Sequence, residues 1–434
     1  MDSRLPVAAA RLAVCRALLL SLWPLAQALA APPSSLPLDA AVSIATRNSR
    51  QVDAMAAQVR AARERAVVAG QRPDPVLKLG LSNLPIDGPD RFSVTRDFMT
   101  MRSVGLMQEV TRADKRTARR ERAERDAALA EAERRQAEAA VQRDTALAWL
   151  DCSFAESMRE QLLGQIAQAS QQVQAAEAMY RGGRGAQADV YAARSEVEAL
   201  RDRLDEAERE IEVARARLTR FVGDAAHAPL GERPVVALPT WVTADGAGAL
   251  DALPDIAARR EQEAAAAADA RVADAERQAD WSVELMYSQR GPAYSNMVSI
   301  NLSVPLQWDR GNRQDREHAA TLASLDEARA RREDAERAVQ AELQSWTLAW
   351  RSHERRLRRH DEALLPLAEQ RAAAALSAYG AGSGSLTGVF EARRNALQVH
   401  LDRLGIEADI ARLWAQLSFL MPHADGQALP RSTP

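Results

Sequence analysis

The chain has 434 residues, a formal net charge of −3 and an aromatic content of only 4%. A near-neutral balance without a basic block excludes a nucleic-acid binder, and so few aromatics argue against one large globular core. Ala, Glu, Arg, Gln and Leu dominate, a mix that favours long helices.

At the N-terminus, Arg4, Arg11 and Arg16 precede the apolar stretch "ALLLSLWPLAQALA", which is followed by the small-x-small site Ala28-Leu29-Ala30. This order predicts a signal peptide over residues 1–30, because a membrane-spanning helix needs about 20 apolar residues. No later segment approaches such a span, so the mature chain is expected to be exported without crossing a bilayer as a helix. Cys15 precedes the apolar run and follows Val14, which speaks against a lipid anchor. Cys152 stands alone beyond it and can form neither an internal disulfide nor a cysteine-built zinc site.

Past the signal, one order of elements is written twice. The first unit, 31–222, holds a helix near 38–69 and strands at 76–81 and 103–110. A long helical run near 112–180 follows, then a break at "YRGGRGAQADV" and a helix to about 222. A Pro/Gly-rich linker covers 223–250. The second unit, 251–421, has a helix from about Pro254 to Ala279 and two strands. A long run near 310–378 follows, with Pro366 expected to kink it, then a break at "YGAGSGSLTGV" and a last helix to about 420. Residues 422–434 read as a disordered tail. Each long run is about 69 residues, or about 100 Å at the helical rise. Small residues recur every three to four positions without a sustained Leu heptad, which suits close-packed layers of helices better than a two-stranded coiled coil.

The strands of the second unit alternate cleanly. Trp281, Val283, Leu285 and Tyr287 share one face in 281–289, opposite Ser282, Glu284, Met286 and Ser288. In 296–308, Val298, Ile300, Leu302, Val304, Leu306 and Trp308 share a face, opposite Ser299, Asn301, Ser303 and Gln307. Aromatics at or near the ends of the apolar band match tilted membrane strands, with the apolar set facing lipid and the polar set facing a lumen. The first-unit strands read as shorter and less regular, with Leu77, Leu79 and Leu81 opposing Lys78, Gly80 and Ser82. Lipid tolerates no open strand edge, and four strands cannot close a barrel. Copies of the chain must therefore pool their strands. Two copies give eight strands and a filled interior; three or more leave an aqueous pore.

Nothing reads as catalytic or cofactor-binding: no Gly-rich phosphate loop follows a strand, and no Ser/His/Asp set has a recognisable frame. His353 and His360 share a helix face but sit about 10 Å apart along the axis, too far to hold one metal ion, and read as exposed. Met99, Met101 and Met107 offer soft sulfur donors, but an outer loop and strand end where Met fills space is the plainer reading. At the two breaks, Gly182, Gly183 and Gly185, and Gly380, Gly382 and Gly384, supply backbone freedom for tight helix-to-helix turns. A turn needs one such residue, so three per break suggest a surface that another protein approaches closely.

Several motifs carry a resemblance over the whole mature chain: "LDAAVSIATRNS" after the signal, "RPDP" before the first strand, "SVPLQWDRGNR" entering the second long helix, and "LLPLAEQRAAAALSAYGAGSGSLTGVFEARRNAL". The chain resembles the TolC-like outer membrane efflux proteins, and "RPDP" with "SVPL" is most similar to their heavy-metal branch, the CzcC and CusC type. The resemblance implies a mainly α fold with a small β part. In it, a homotrimer of four-stranded contributions closes a twelve-stranded barrel on a long α-helical periplasmic barrel, in the outer membrane of a Gram-negative bacterium. It implies a passive export channel, no cofactor, and docking to a periplasmic membrane fusion protein and an inner membrane RND pump. By resemblance the two breaks are the periplasmic tips that meet the fusion protein: Tyr180, Arg181, Gly182, Gly183, Arg184 and Asp189 from the first, and Tyr379, Gly380, Gly382, Ser383 and Ser385 from the second. Thr387-Gly388 stands where the family often carries an acidic residue. Heavy-metal cations, or organic drugs and solvents, are the cargo classes implied. The reading from a different class is an elongated envelope tether without a pore, which would need no lipid-facing strands.

Overall fold

The computed structural model describes residues 35–243 and 250–423; the signal segment and most of the expected tail lie outside them. The first half runs α1 (Leu38–Asn48), α2 (Arg50–Ala69), β1 (Val76–Ser82), β2 (Met101–Val110), α3 (Ala113–Arg181) and α4 (Gln187–Val222). The second runs α5 (Pro254–Glu276), β3 (Trp281–Gln289), β4 (Met297–Ser303), α6 (Gln314–Arg359), α7 (Leu365–Gly380) and α8 (Leu386–Ser418).

Helix α3, with 69 residues, is the spine. About 100 Å long at the standard rise, it packs against α2 and α5 along its first half and against α4 and α8 along its second, with α6 beside α5 and α7 beside α8. Many of its buried positions are Ala, including Ala130, Ala137, Ala146 and Ala169. Side chains this small let the helices approach closely. Because its neighbours change along its length, no single apolar stripe could serve it. Charged pairs lace the layer, among them Arg332–Glu263 at 2.6 Å and Arg122–Asp269 at 2.5 Å. Such part-exposed pairs fix register more than they stabilise.

The main core sits at mid-length of α3, where Trp149, Leu150 and Phe154 meet α1, the ends of α4 and α8, and Trp350. Trp149 is fully buried and its indole donates to the Leu36 carbonyl at 2.9 Å. A Leu36–Leu230 bridge draws the inter-half segment into this belt. That segment carries a 3₁₀ turn at Gly223–His227 and one helical turn at Thr240–Thr243. Pro422 and His423, expected within the disordered tail, are placed here. The Gln142 amide donates to the His423 carbonyl at 3.1 Å and accepts from its N–H at 2.8 Å.

Several element boundaries differ from expectation. The first helix is two, broken at Ser49, whose hydroxyl accepts from the Val52 N–H at 3.3 Å and caps α2. Replacing Ser49 with Ala should cost about 1 kcal/mol, read as a lowered denaturation midpoint; a neutral result would mean the junction is held by packing alone. Helix α5 stops at Glu276 rather than Ala279. The second long run begins at Gln314, after a 3₁₀ turn at Arg310–Asn312. Pro366 acts on it by widening one turn: His360–Leu364 is π-helical, with the Leu365 N–H reaching the His360 carbonyl. An ordinary turn would drive the proline ring into the carbonyl four residues back, and the wider one relieves this. His360, expected to be exposed, is buried by this turn, its Nδ1 2.9 Å from the Arg356 carbonyl.

Candidate functional site

The four strands form one antiparallel sheet in the order β1-β2-β3-β4. The register aligns their apolar sets on one face. Leu79 pairs with Val104, Val104 with Tyr287 and Tyr287 with Val298; Leu106 pairs with Leu285 and Leu285 with Ile300. These side chains are solvent-exposed in the single chain, Ile300 at 73% and Leu79 at 75%. Trp281 stands at the helix-proximal end of this face, and Trp308, 88% exposed, follows beyond the end of β4. No helix covers the face. Arg102 opposite Gln289 marks its far end.

The opposite face is polar. Ser282 pairs with Ser303, Glu284 with Asn301 and Met286 with Ser299. The first-half strands are not the shorter ones: β2, with 10 residues, is the longest. Its reach was hidden because Arg102 and Gln108 interrupt the apolar set. β4 ends at Ser303, so Val304, Leu306 and Trp308 extend beyond the paired ladder. The alternating residues run on, but β3 begins at Trp281 and offers no partner past it. Of the three methionines, Met101 and Met107 lie six residues apart on β2, about 20 Å, and Met99 lies on the exposed loop. The strand does not bring them together. Among the described residues, no group of three or more His, Cys, Asp or Glu side chains is placed to hold a metal ion.

The sequence holds only two lysines, Lys78 and Lys115, against 57 basic residues in all. Both make ion pairs at the sheet that sequence reasoning missed. Lys78 of β1 reaches over Gly105 of β2 to Glu284 of β3 at 2.8 Å. Lys115, at the start of α3, meets Asp280 at 2.7 Å and the Gln278 carbonyl at 3.1 Å. The other Asp280 oxygen accepts from the Arg112 N–H at 3.1 Å. Burial alone would raise the Asp280 pKa, but the Lys115 ammonium and the Arg112 amide outweigh it and hold the carboxyl below its usual range. The signal available was the rarity of Lys in an Arg-rich chain.

At the far end of the long helices the two breaks are built alike. Gly183 and Gly382 have φ of +69° and +74°. The Arg184 N–H bonds the Met179 carbonyl and the Gly183 N–H the Tyr180 carbonyl; the Ser383 and Gly382 N–H groups do the same to Ala378 and Tyr379. Each is a Schellman turn, closing the helix with one left-handed residue. A Cβ on Gly185 or Gly384 would meet the preceding helix at 3.2 or 3.0 Å. Four of the six glycines are thus needed by the turns themselves, which corrects the argument from three per break. Gly182 and Gly380 are the two without such a need, and both are exposed.

Three other tip residues have local bonding roles. Asp189 Oδ2 accepts from the Ala186 N–H at 3.3 Å, and the Ser385 hydroxyl from the Gly388 N–H at 3.1 Å. The Ser383 hydroxyl donates to the Ala378 carbonyl at 3.1 Å. Tyr379 packs on Ala176, Val190, Ala193, Leu386 and Phe390. This packing sets the two tips side by side; burial, then the Asp189 carboxylate, pushes the Tyr379 phenol pKa up. Tyr180, Arg181 and Arg184 stay exposed.

An exposed apolar sheet face thus stands at one end of a long helical extension. Residues 41–224 match the family described as outer membrane efflux protein. No curated protein matches the chain in sequence. Among solved structures, the outer-membrane channel OprN is similar at 19% identity with a TM-score of 0.75, covering 89% of this chain and 90% of that one. The outer membrane protein VceC from Vibrio cholerae is similar at 19% identity and a TM-score of 0.74, covering 89% and 96%. CusC is similar at 15% identity and 0.76, covering 89% and 92%. The family match covers residues 41–224, in the first half of the chain, and the fold shared with the solved structures runs through both halves. Proteins of this family are channels, not enzymes.

Proposed function

We propose that the chain works as a homotrimeric export duct, with its sheets pooled into a twelve-stranded barrel in the outer membrane and its helices forming a periplasmic tube. The open edges of β1 and β4 carry this reading. Each presents unpaired backbone groups beside an apolar face, and lipid offers those groups no partner. Three sheets of four strands close the edges and leave a pore lined by Ser282, Glu284, Ser299, Asn301 and Ser303, with Trp281, Val283, Leu285, Tyr287, Val298, Ile300, Leu302 and Val304 against lipid.

The duct receives its cargo from a periplasmic fusion protein and an inner membrane RND pump, and the cargo is heavy-metal cations. The "RPDP" and "SVPL" motifs support that choice over organic drugs. Deleting the gene should lower tolerance to heavy-metal cations and leave tolerance to organic drugs unchanged. The reverse pattern would overturn the cargo assignment.

The tips are the docking surface: the side chains of Tyr180, Arg181 and Arg184 are exposed on one, and Gly182 and Gly380 are the tip glycines whose backbone the turns do not require to be glycine. A Cβ added at Gly380 meets nothing within 4 Å in the chain, so Gly380→Leu should leave an inserted oligomer that no longer crosslinks to its fusion partner. Gly382→Leu should instead destabilise the tip, by about 1–2 kcal/mol for a left-handed residue with a side chain. Normal crosslinking and export by Gly380→Leu would remove the tips from the docking surface.

A further inference from the structure

We infer that Lys78 and Glu284 form a charge-neutralising belt across the barrel lumen, and that this belt sets the ion preference of the channel. The inference rests on the duct reading above, which puts this face of the sheet toward the pore.

On that face the charged residues of the described strands are Lys78, Glu284 and Glu109. Glu109 sits opposite Ser282 at the helix end of the sheet, next to the tube. Lys78 and Glu284 lie in the middle of their strands and are two strands apart. They meet on a diagonal: Lys78 pairs with Gly105, which puts no side chain in its way, while Glu284 pairs with Met107 two residues along β2. A Cβ at Gly105 would also stand 3.1 Å from the Leu285 carbonyl oxygen and 3.4 Å from the Met286 Cβ. The glycine therefore serves both the close approach of β2 to β3 and the path of the lysine.

The pair is held flat against the sheet. Glu284 is the more sheltered partner, with 13% of its side chain exposed against 41% for Lys78, and its Oε1 makes no hydrogen bond. A passing ion meets a closed dipole there instead of a free carboxylate, so three copies make a ring with no net charge. Removing one partner leaves three like charges around the pore. At roughly 10 Å from the axis and moderate salt, these bias cation against anion permeability roughly threefold.

The test uses the full-length wild type, Lys78→Met, Glu284→Gln and the exchanged pair Lys78→Glu with Glu284→Lys, each inserted in planar bilayers under a potassium chloride gradient. Lys78→Met should shift the permeability ratio toward potassium and Glu284→Gln toward chloride, each roughly threefold. The exchanged pair should return to the wild-type ratio, which separates lost charge from a disturbed fold. Any result other than opposite shifts in the two single variants overturns the assignment. A wild type that forms no conducting pore overturns the duct reading and this inference with it.

Discussion

Ile300→Arg should abolish membrane assembly, whereas Ser299→Arg, one residue away, should assemble and change conductance. Ile300 is 73% exposed in the single chain and aligned with Leu285 and Leu106 across three strands. A guanidinium there faces hydrocarbon at mid-band, at a cost of about 2–4 kcal/mol per site. In an oligomer that cost is paid at every copy. Leu302→Arg should behave likewise. The measurement is recovery of heat-resistant oligomer from membranes. Equal tolerance at 299 and 300 would refute the assignment of faces.

Lys115→Met should cost about 3–5 kcal/mol, the penalty for leaving one member of a buried pair alone. The Lys115 side chain is 6% exposed and that of Asp280 16%. Together they tie the first turn of α3 to the segment between α5 and β3, where helices hand over to sheet. The folded-state pKa of Asp280 is depressed. Its contribution is therefore fully present above the ordinary carboxylate value of about 4 and is lost as the pH falls below it. Wild-type stability should drop on that acid limb, and the variant should be less stable at neutral pH with a flatter limb. A variant matching the wild type at pH 7 would show the joint to be held by strand pairing alone.

The alternation from Trp281 to Ser303 was legible because period-two patterning labels both faces within one segment. The long helices were legible from composition and from the glycine clusters that end them. The break at Ser49 was not, since a serine between helix-forming runs signals a cap only once the chain turns there. The extent of β2 was obscured by Arg102 and Gln108, which belong to the ends of the band. The pairing of Lys78 with Glu284 spans 206 positions, and no local pattern encodes it. The tip glycines taught a different lesson: their number suggested a partner, but hydrogen bonding and φ account for four of six. His360 was misjudged because helical periodicity says nothing about a π turn set by a proline six residues on.

Two lysines, each committed to a carboxylate beside the sheet, leave little of this chain's interior open to amine chemistry. Acylating reagents and lysyl endopeptidase find just two side-chain targets, at 78 and 115. Lys115, 6% exposed, becomes reactive only when the joint to the long helix opens; Lys78 is 41% exposed, but cleavage of the chain there still requires β1 to leave the sheet. The arginine-rich surface, by contrast, offers trypsin dozens of positions along the solvent-facing helices. A pair of proteases differing only in that preference thus distinguishes fraying of the long helices from opening of the sheet. The sheet end carries its own built-in label.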